Sequence, residues 1–240
     1  MTTEHSHTRD PTPDDLRESA FIVVPAYNEA EVIAEVVTAL RDAYTNVIVV
    51  DDGSRDETAL AARSARASVL RHAINRGQGA ALQTGIDYAL LCGAKYIVTF
   101  DADGQHDVAD IARLLKPIAA GDCEISLGSR FLGSAVNLPA SRRVLLKLGV
   151  LFTRFTSGVS LTDVHNGLRA FSRRAAERIQ IRLDGMAHAS EMIDLIRRSE
   201  LAYREVPVTI RYTDYSRAKG QSSRGALRIA LHYLLGRVVR

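Results

Sequence analysis

The chain has 240 residues, of which 46% are hydrophobic and 25% charged, and its formal net charge is +3. This composition excludes a disordered or fibrous protein, and the length fits one domain with a full hydrophobic core. Because the net charge is small, no nucleic-acid partner is expected. No stretch reaches the roughly 18 apolar residues that are needed to span a bilayer.

Residues 1–18 are predicted to form a mobile N-terminal tail. The start of the chain is polar, is interrupted by prolines and lacks the apolar segment of a signal peptide or a membrane anchor. Cys92 and Cys123 have no metal-binding or redox spacing, so we expect idle thiols and no zinc site. These observations predict a cytoplasmic protein, either soluble or peripheral to a membrane.

Short apolar runs alternate with helical patterns from the first strand onward. The predicted strands cover residues 21–25, 47–50, 69–72, 96–100, 125–128, 167–171 and 203–210. The predicted helices begin near residues 28, 54, 79, 107, 141, 173, 188 and 224. Capping boxes at Asn28–Glu31 and Ser54–Glu57, and an N-cap at Asp107, mark three of these starts.

This alternation predicts an α/β fold with a doubly wound, mostly parallel sheet flanked by helices. The first four strands each end in polar residues, and the carboxyl ends of parallel strands form the ligand crevice. The Gly77 and Gly79 loop is not a dinucleotide-binding fingerprint, because Leu82 stands where the third glycine belongs. Glycine amides that open a helix could still approach a phosphate.

Asp101 and Asp103 follow the fourth strand where it ends. Hard oxygen ligands at this position suit Mg²⁺ or Mn²⁺, which bind one or two carboxylates and complete their coordination with water and substrate phosphates. The corresponding partner is a nucleotide diphosphate. The alternative is an ordinary turn, since aspartate and glycine are common loop residues.

Four motifs occur in order at consecutive strand ends: Pro25 to Glu29, Asp51 to Ser54, Asn75 to Gly79, and Asp101 to Asp103. With these motifs the sequence resembles the family 2 glycosyltransferases of GT-A fold, over about residues 21–210. Within that family it is similar to the dolichol-phosphate mannose synthases and polyprenyl-phosphate sugar synthases. The segments that carry this closer likeness are Gln105, Gly128 to Arg130, Thr162–Asp163, Asn166 to Phe171 and Glu205 to Arg211.

The resemblance implies a set of donor-binding residues and a metal site. The implied donor-binding residues are Pro25, Ala26, Tyr27, Asn28, Glu29, Asp52, Gly53, Gly77, Gly79, Asp101 and Ala102. Asp52 would accept an N–H of the base, Asp101 would lie near the ribose, and Asp103 with Gln105 would hold the Mg²⁺ or Mn²⁺. The donor would be a nucleotide-diphosphate sugar, with UDP slightly favoured over GDP.

The resemblance also implies an acceptor that is a polyprenyl phosphate. Arg130 and one of Arg142 or Arg143 match acceptor-phosphate positions, and arginine suits bidentate capture of phosphate. Arg211 would reach the donor diphosphate. Asp163 would either orient an arginine or act as a base. The catalytic residues that the resemblance implies are Asp103, Asp163, Arg130 and Arg211.

Two features of the sequence depart from these relatives. Leu146 stands near a position where they often carry serine, and Gly220 to Ser222 match their terminal motif only loosely. The chain has no tryptophan, so it lacks the Q-x-x-R-W element of processive synthases, and one sugar per turnover is expected.

The alternatives to a polyprenyl-phosphate sugar synthase are a family 2 transferase with a soluble or protein acceptor, and a catalytically silent nucleotide-binding protein. A nucleotidyltransferase is disfavoured because Pro25 to Glu29 occupy the place of its glycine-rich loop.

The resemblance divides the chain into a GT-A domain over residues 19–215 and a C-terminal amphipathic region over residues 216–240. A helix over 224–239 has an apolar stripe beside basic residues, as does the predicted helix over 141–156. Since a polyprenyl phosphate keeps its tail in the bilayer, we expect the protein to lie at the inner face of the cell membrane. It would bind the membrane surface itself or a small membrane protein partner.

Overall fold

The computed structural model describes residues 12–185, 187–213 and 215. Its helices are α1 (Pro13–Ser19), α2 (Ile33–Ala43), α3 (Thr58–Ser64), α4 (Gln78–Leu91), α5 (Ala109–Ala119), α6 (Ala140–Ser157), α7 (Arg173–Arg178) and α8 (His188–Ser199). Its strands are β1 (Ala20–Ala26), β2 (Asn46–Asp51), β3 (Ser68–Arg71), β4 (Tyr96–Thr99), β5 (Ile125–Val136), β6 (Arg169–Ser172) and β7 (Tyr203–Arg211). The predicted helix over 224–239 lies outside the described residues.

The seven strands form one sheet in the order β3-β2-β1-β4-β6-β5-β7. Pairing is parallel except at β6, which runs antiparallel to both β4 and β5. The predicted α/β fold with a mostly parallel sheet is therefore confirmed. Because β1, β2 and β4 are parallel neighbours, their carboxyl ends and the loops that follow meet at one edge.

Helices cover both faces of the sheet. Alternate residues of β1 point to opposite faces, as a period of two requires: Ile22 and Val24 join the core with α2 and α5, whereas Val23 joins the core with α4 and α8. Gly85 lets α4 approach β1, because a Cβ there would collide with the side chain of Val23.

Residues 13–18 of the predicted tail belong to α1 (Pro13–Ser19), and residues 1–11 lie outside the described residues. Thr12 and Asp15 form a reciprocal capping box, in which the amide of Asp15 donates to Thr12 Oγ1 at 3.2 Å and the amide of Thr12 donates to Asp15 Oδ2 at 2.8 Å. Proline is tolerated at the first helical position, where its missing N–H would have no partner. The polar, proline-containing composition that suggested a tail is here the start of a helix.

Both predicted capping boxes are wrong. Helices α2 and α3 begin at Ile33 and Thr58, several residues after the predicted starts, and neither has a side-chain cap. Asn28 and Ser54 instead bind each other's loops, with the Asn28 amide donating to Ser54 Oγ at 2.9 Å and Asn28 Oδ1 accepting from the Arg55 amide at 2.9 Å.

The N-cap of α5 is Val108 rather than the predicted Asp107, although the Asp107 carboxylate accepts the amide of Ala109, the first residue of α5, at 3.0 Å. The other large difference is in β5, which continues past the predicted end at Gly128 to Val136. Its second half, Ser134 to Val136, pairs with β7. This extension places Arg130 within the strand.

Candidate active site

A cleft of about 450 Å³ lies at the carboxyl ends of β1 and β4. Its lining contains most of the residues singled out in the sequence: Pro25, Ala26, Tyr27, Glu29, Asp52, Gly77, Asp101, Ala102, Asp103, Gln105, Arg130 and Arg142. The rest of the predicted site residues do not line it: Asn28, Gly53, Gly79, Arg143, Asp163 and Arg211. One cleft therefore contains both the acidic pair and two arginines.

Asp52 organises the loop between β3 and α4. Its buried carboxylate lies 2.7 Å from His72 Nδ1 and accepts the backbone amides of Arg76 at 2.9 Å and Gly77 at 2.6 Å. Since both carboxylate oxygens already have partners, the observed role of Asp52 is to fold this loop against the cleft. Its contact with a nucleotide base stays a prediction.

The glycines of the Asn75 to Gly79 motif have a packing role. Gly77 has a φ of 109°, a conformation that favours glycine, and a Cβ on Gly77 or Gly79 would collide with the backbone of the 183–184 segment. The Gly79 amide donates to the Asp184 carbonyl at 2.7 Å. The amides of Gly77 and Gly79 both have acceptors within the protein, and their approach to a phosphate stays a prediction.

Asp101 is held by two side chains that also line the cleft. Gln78 Nε2 donates to its Oδ1 at 3.0 Å, and His106 Nε2 lies 3.0 Å from its Oδ2. Gly167 makes room for this carboxylate, because a Cβ at that position would collide with it. Gln105 contacts Asp103 in the same way, with its Nε2 donating to Asp103 Oδ2 at 2.8 Å.

The two carboxylates differ in pKa although one residue separates them. For Asp103, burial and the negative charges of Asp101 and Glu29 outweigh the opposing effect of His106 and raise the pKa to about 6. For Asp101, burial would raise the pKa, but the hydrogen bond and charge of His106 and the charge of Arg169 lower it below its usual range. Burial and the charges of Asp101 and Glu29 therefore disfavour the ionised form of Asp103, and a bound cation would relieve that repulsion.

The donor set near Asp103 fits Mg²⁺ or Mn²⁺. The Asp103 carboxylate and the Gln105 side-chain amide supply oxygen ligands, and these ions keep water and phosphate in their other positions. Within the described residues, no group of three or more His, Cys, Asp or Glu side chains is arranged to hold a metal ion. A site with two protein ligands is consistent with a cation that substrate phosphates help to bind.

Arg130 is fixed by a buried ion pair with Asp163. Its Nε donates to Asp163 Oδ2 at 2.5 Å, its backbone amide donates to the same oxygen at 3.1 Å, and its Nη1 donates to the Tyr212 hydroxyl at 2.5 Å. Burial lowers the pKa of Arg130, but the charge of Asp163 and the Tyr212 hydroxyl raise it above its usual range, so the guanidinium stays charged. Of the two predicted roles for Asp163, the geometry favours orienting an arginine.

The remaining predicted arginines lie in three different environments. Arg142 lines the cleft, while Arg143 lies at a separate depression beside Phe131 and Lys147. Arg211 is more than half exposed, and its Nη2 donates to Asp107 Oδ2 at 3.2 Å. The structure thus selects Arg142 over Arg143 for the cleft and places Arg211 outside its lining, paired with an aspartate.

Several cleft residues were not assigned a role from the sequence: Asn75, Gln78, Ala81, His106, His165, Gly167 and Ile210. Gln78 lies within the Asn75 to Gly79 motif and His106 directly follows Gln105, so their positions in the sequence were the available signal. Arg169 and His188 lie buried behind Asp101, and burial together with the charge of Arg169 lowers the pKa of His188 to about 4. Arg169 lies within the Asn166 to Phe171 segment that carries the family likeness, whereas no local pattern marks His188.

Residues 21–180 of the sequence match the family model of glycosyl transferase family 2. It is 35% identical over 223 residues to the UDP-N-acetylglucosamine–dolichyl-phosphate N-acetylglucosaminyltransferase of Methanococcus voltae, covering 83% of this chain and 88% of that protein. It is 32% identical over 253 residues to the polyprenol monophosphomannose synthase of Mycolicibacterium smegmatis, covering 99% of this chain and 95% of that protein.

Among solved structures, the fold is similar to glucosyl-3-phosphoglycerate synthase from Mycobacterium tuberculosis in complex with Mn²⁺, UDP-glucose and phosphoglyceric acid. The TM-score is 0.70 at 19% sequence identity, covering 97% of this chain and 86% of that chain. At this identity the similarity shows a shared fold.

Proposed function

The chain belongs to glycosyltransferase family 2, and we propose that it transfers one sugar from a nucleotide-diphosphate sugar to a polyprenyl phosphate, with inversion at the anomeric carbon. The observation that carries this proposal is the single cleft that contains both Asp103 with Gln105 and the arginines Arg130 and Arg142. One group suits a diphosphate through a metal ion, and the other suits a phosphate directly. The names of the relatives in Methanococcus voltae and Mycolicibacterium smegmatis support this acceptor class.

In the proposed reaction an oxygen of the acceptor phosphate attacks the anomeric carbon. The new carbon–oxygen bond forms as the bond between the anomeric carbon and the diphosphate breaks. The electron pair of the breaking bond leaves with the nucleoside diphosphate. The attacking oxygen is already anionic, so no general base is required, which agrees with Asp163 being used to hold Arg130. Arg130 and Arg142 orient the acceptor phosphate. Held by Asp103 and Gln105, Mg²⁺ or Mn²⁺ would neutralise charge on the leaving diphosphate.

For the donor we propose a UDP-sugar, with GDP-mannose as the alternative. The relative in Methanococcus voltae is named for a UDP-sugar, and the relative in Mycolicibacterium smegmatis is named for mannose. With Mn²⁺, we expect saturating UDP to raise the melting temperature by about 5 °C or more and GDP to have a smaller effect. Tight binding of GDP without binding of UDP would reverse this choice.

The test of the whole proposal is a transfer assay with labelled UDP-sugars and undecaprenyl phosphate. Label is expected in the lipid product when the acceptor carries its phosphate, and not with undecaprenol, which lacks the phosphate. 3-Phosphoglycerate serves as a soluble phosphorylated acceptor in a parallel reaction. Full-rate transfer to the soluble acceptor and none to the lipid would refute the polyprenyl phosphate proposal.

The affinity for Mn²⁺ is expected to fall as pH decreases through about 6. Metal binding requires the deprotonated carboxylate, and the pKa of Asp103 is raised to about 6. Each pH unit below that value should weaken binding about tenfold, as calorimetry between pH 5 and 8 would measure. The folded state holds this proton more tightly than the unfolded state does, so the metal-free protein is expected to lose stability as pH rises from about 4 to about 6. A Mn²⁺ affinity that does not change between pH 5 and 8 would contradict the assignment of Asp103 as a metal ligand.

Helix α6 offers a surface for the membrane part of the proposal. Val144, Leu148, Leu151 and Phe155 are exposed and are spaced by three or four residues, so they share one face of the helix. Arg143, Lys147 and Arg154 form a basic stripe beside them. Within the described ranges, no helix is long and apolar enough to cross a bilayer. We propose that α6 lies in the interface of the inner membrane face, with its cations near anionic lipids.

Phe155→Glu is expected to weaken binding to phosphatidylglycerol vesicles about tenfold, because the exposed ring would otherwise be buried among lipids. Phe155 is 82% exposed, and Leu91, at the end of α4, is 86% exposed. Leu91→Glu is therefore a matched control that should leave vesicle binding unchanged. Equal binding by both variants in a co-sedimentation assay would exclude α6 as the membrane surface. The proposed membrane protein partner depends on residues 224–240, which lie outside the described chain.

A further inference from the structure

Tyr212 lies directly after β7, behind the cleft. Its side chain is almost completely buried, at 2% exposure, and it does not line the cleft. Its backbone amide donates to the carbonyl of Val136, the last residue of β5, at 3.1 Å. The tyrosine is therefore fixed between the ends of two paired strands.

The hydroxyl of Tyr212 completes the support of Arg130. It accepts from Arg130 Nη1 at 2.5 Å, while Asp163 accepts from Nε on another side of the same guanidinium. An arginine side chain has five N–H donors, and these two bonds use two of them. The other three have no acceptor among the residues that the structure describes, so they are available to a ligand in the cleft.

The ring of Tyr212 supports the second arginine of the cleft. The Arg142 guanidinium carbon lies 5.3 Å from the ring centroid, which is the distance of a cation–π contact. Arg142 is in the first turn of α6 and Arg130 is in β5, so one side chain contacts cations from two separate elements. Two arginines directed at the same cleft repel each other, and a rigid aromatic ring limits how far they can separate.

We propose that Tyr212 is a positioning residue that aligns Arg130 and Arg142 to bind one phosphate group of the acceptor. This inference rests on the proposed function and adds a residue that does not itself touch the substrate. It distinguishes Tyr212 from an ordinary core tyrosine, because its loss should affect acceptor binding and leave donor binding unchanged.

The experiment measures binding of farnesyl phosphate, a short polyprenyl phosphate, to the full chain by calorimetry. Tyr212→Phe keeps the ring and removes the acceptor oxygen, so we expect about tenfold weaker binding, as for loss of a hydrogen bond to a charged group. Tyr212→Leu also removes the aromatic face, and we expect about threefold further weakening. Tyr203→Phe, at the exposed start of β7, is the matched control and should bind as the wild type does.

Donor binding is measured in the same variants with Mn²⁺ and whichever of UDP or GDP the wild type binds. It should change by less than about twofold, and in turnover assays the KM for farnesyl phosphate should rise while kcat is nearly unchanged. If Tyr212→Phe binds farnesyl phosphate as tightly as the wild type, the positioning role is wrong and the proposed function stands. Equal losses of donor and acceptor binding would also overturn it, because they would indicate a general structural role. If the wild type itself binds no farnesyl phosphate, both the proposed acceptor class and the positioning role of Tyr212 are wrong.

Discussion

Asp103→Asn is expected to lower the rate of sugar transfer by about a hundredfold or more, because it removes the charge that holds the cation at the leaving diphosphate. The same variant should keep or increase its free energy of unfolding. The pKa of Asp103 is raised to about 6 by burial and by the charges of Asp101 and Glu29, so at pH 7 the ionised carboxylate disfavours the folded state. Asparagine removes that charge while nearly preserving the shape of the side chain.

Transfer kinetics at saturating Mn²⁺ and urea unfolding of the metal-free protein measure the two effects separately. Asp122→Asn is the control, since Asp122 is a half-exposed partner of Arg204 at 3.0 Å and should change neither quantity appreciably. If Asp103→Asn transferred sugar at a normal rate, the metal assignment would be wrong. A large loss of stability would show instead that Asp103 supports the fold.

Arg130→Met should abolish transfer to the lipid and also destabilise the protein by about 3–5 kcal/mol. The mutation removes a cation of the cleft and leaves the Asp163 carboxylate buried without its charged partner, whose Nε lies 2.5 Å away in the wild type. The Asp163 side chain is 1% exposed, so water cannot replace the lost hydrogen bonds. Urea denaturation should show a lower midpoint with a similar slope.

Arg204→Met provides the contrast for this ion pair. Arg204 Nη1 and Asp122 Oδ2 also form an ion pair, at 3.0 Å, but their side chains are 58% and 47% exposed, so loss of the pair should cost less than about 1 kcal/mol. Similar destabilisation by the two mutations would contradict the importance of burial at Arg130. A stable Arg130→Met variant with normal lipid transfer would remove Arg130 from the acceptor site.

Much of the fold could be predicted from local pattern. The buried strands are short apolar runs because both faces of the sheet are covered by helices, and the α5 residues Ile111, Leu114, Leu115 and Ile118 are buried at a helical period. The acidic pair directly follows β4, so it lies at the edge of the sheet that the carboxyl ends of the parallel strands form. The family and the α/β class were predictable for the same reason, since motifs and periodicity belong to neighbouring residues.

The partners of the cleft residues were not predictable in this way. Asn28 and Ser54 have the sequence of helix caps, yet their polar atoms bind across two loops that are 26 residues apart. Asp52 was predicted to contact the base of the donor, and the sequence did not indicate that its carboxylate also holds the loop that ends at Gly77. A short polar motif specifies which groups are available to bind, and the path of the chain decides which groups they meet.

The sequence by itself determined the α/β class, the family, the acidic end of β4 and the set of arginines from which an acceptor site could be built. Only the tertiary structure decided that Arg142 rather than Arg143 faces the cleft, that Arg211 pairs with Asp107, and that Tyr212 joins two arginines. The physical reason is sequence separation: the Arg130 contacts with Asp163 and Tyr212 span 33 and 82 residues. Such contacts depend on the order in which strands pair. In this sheet β6 lies between β4 and β5 and runs antiparallel to both, a direction that the local pattern of the predicted strand over 167–171 did not indicate.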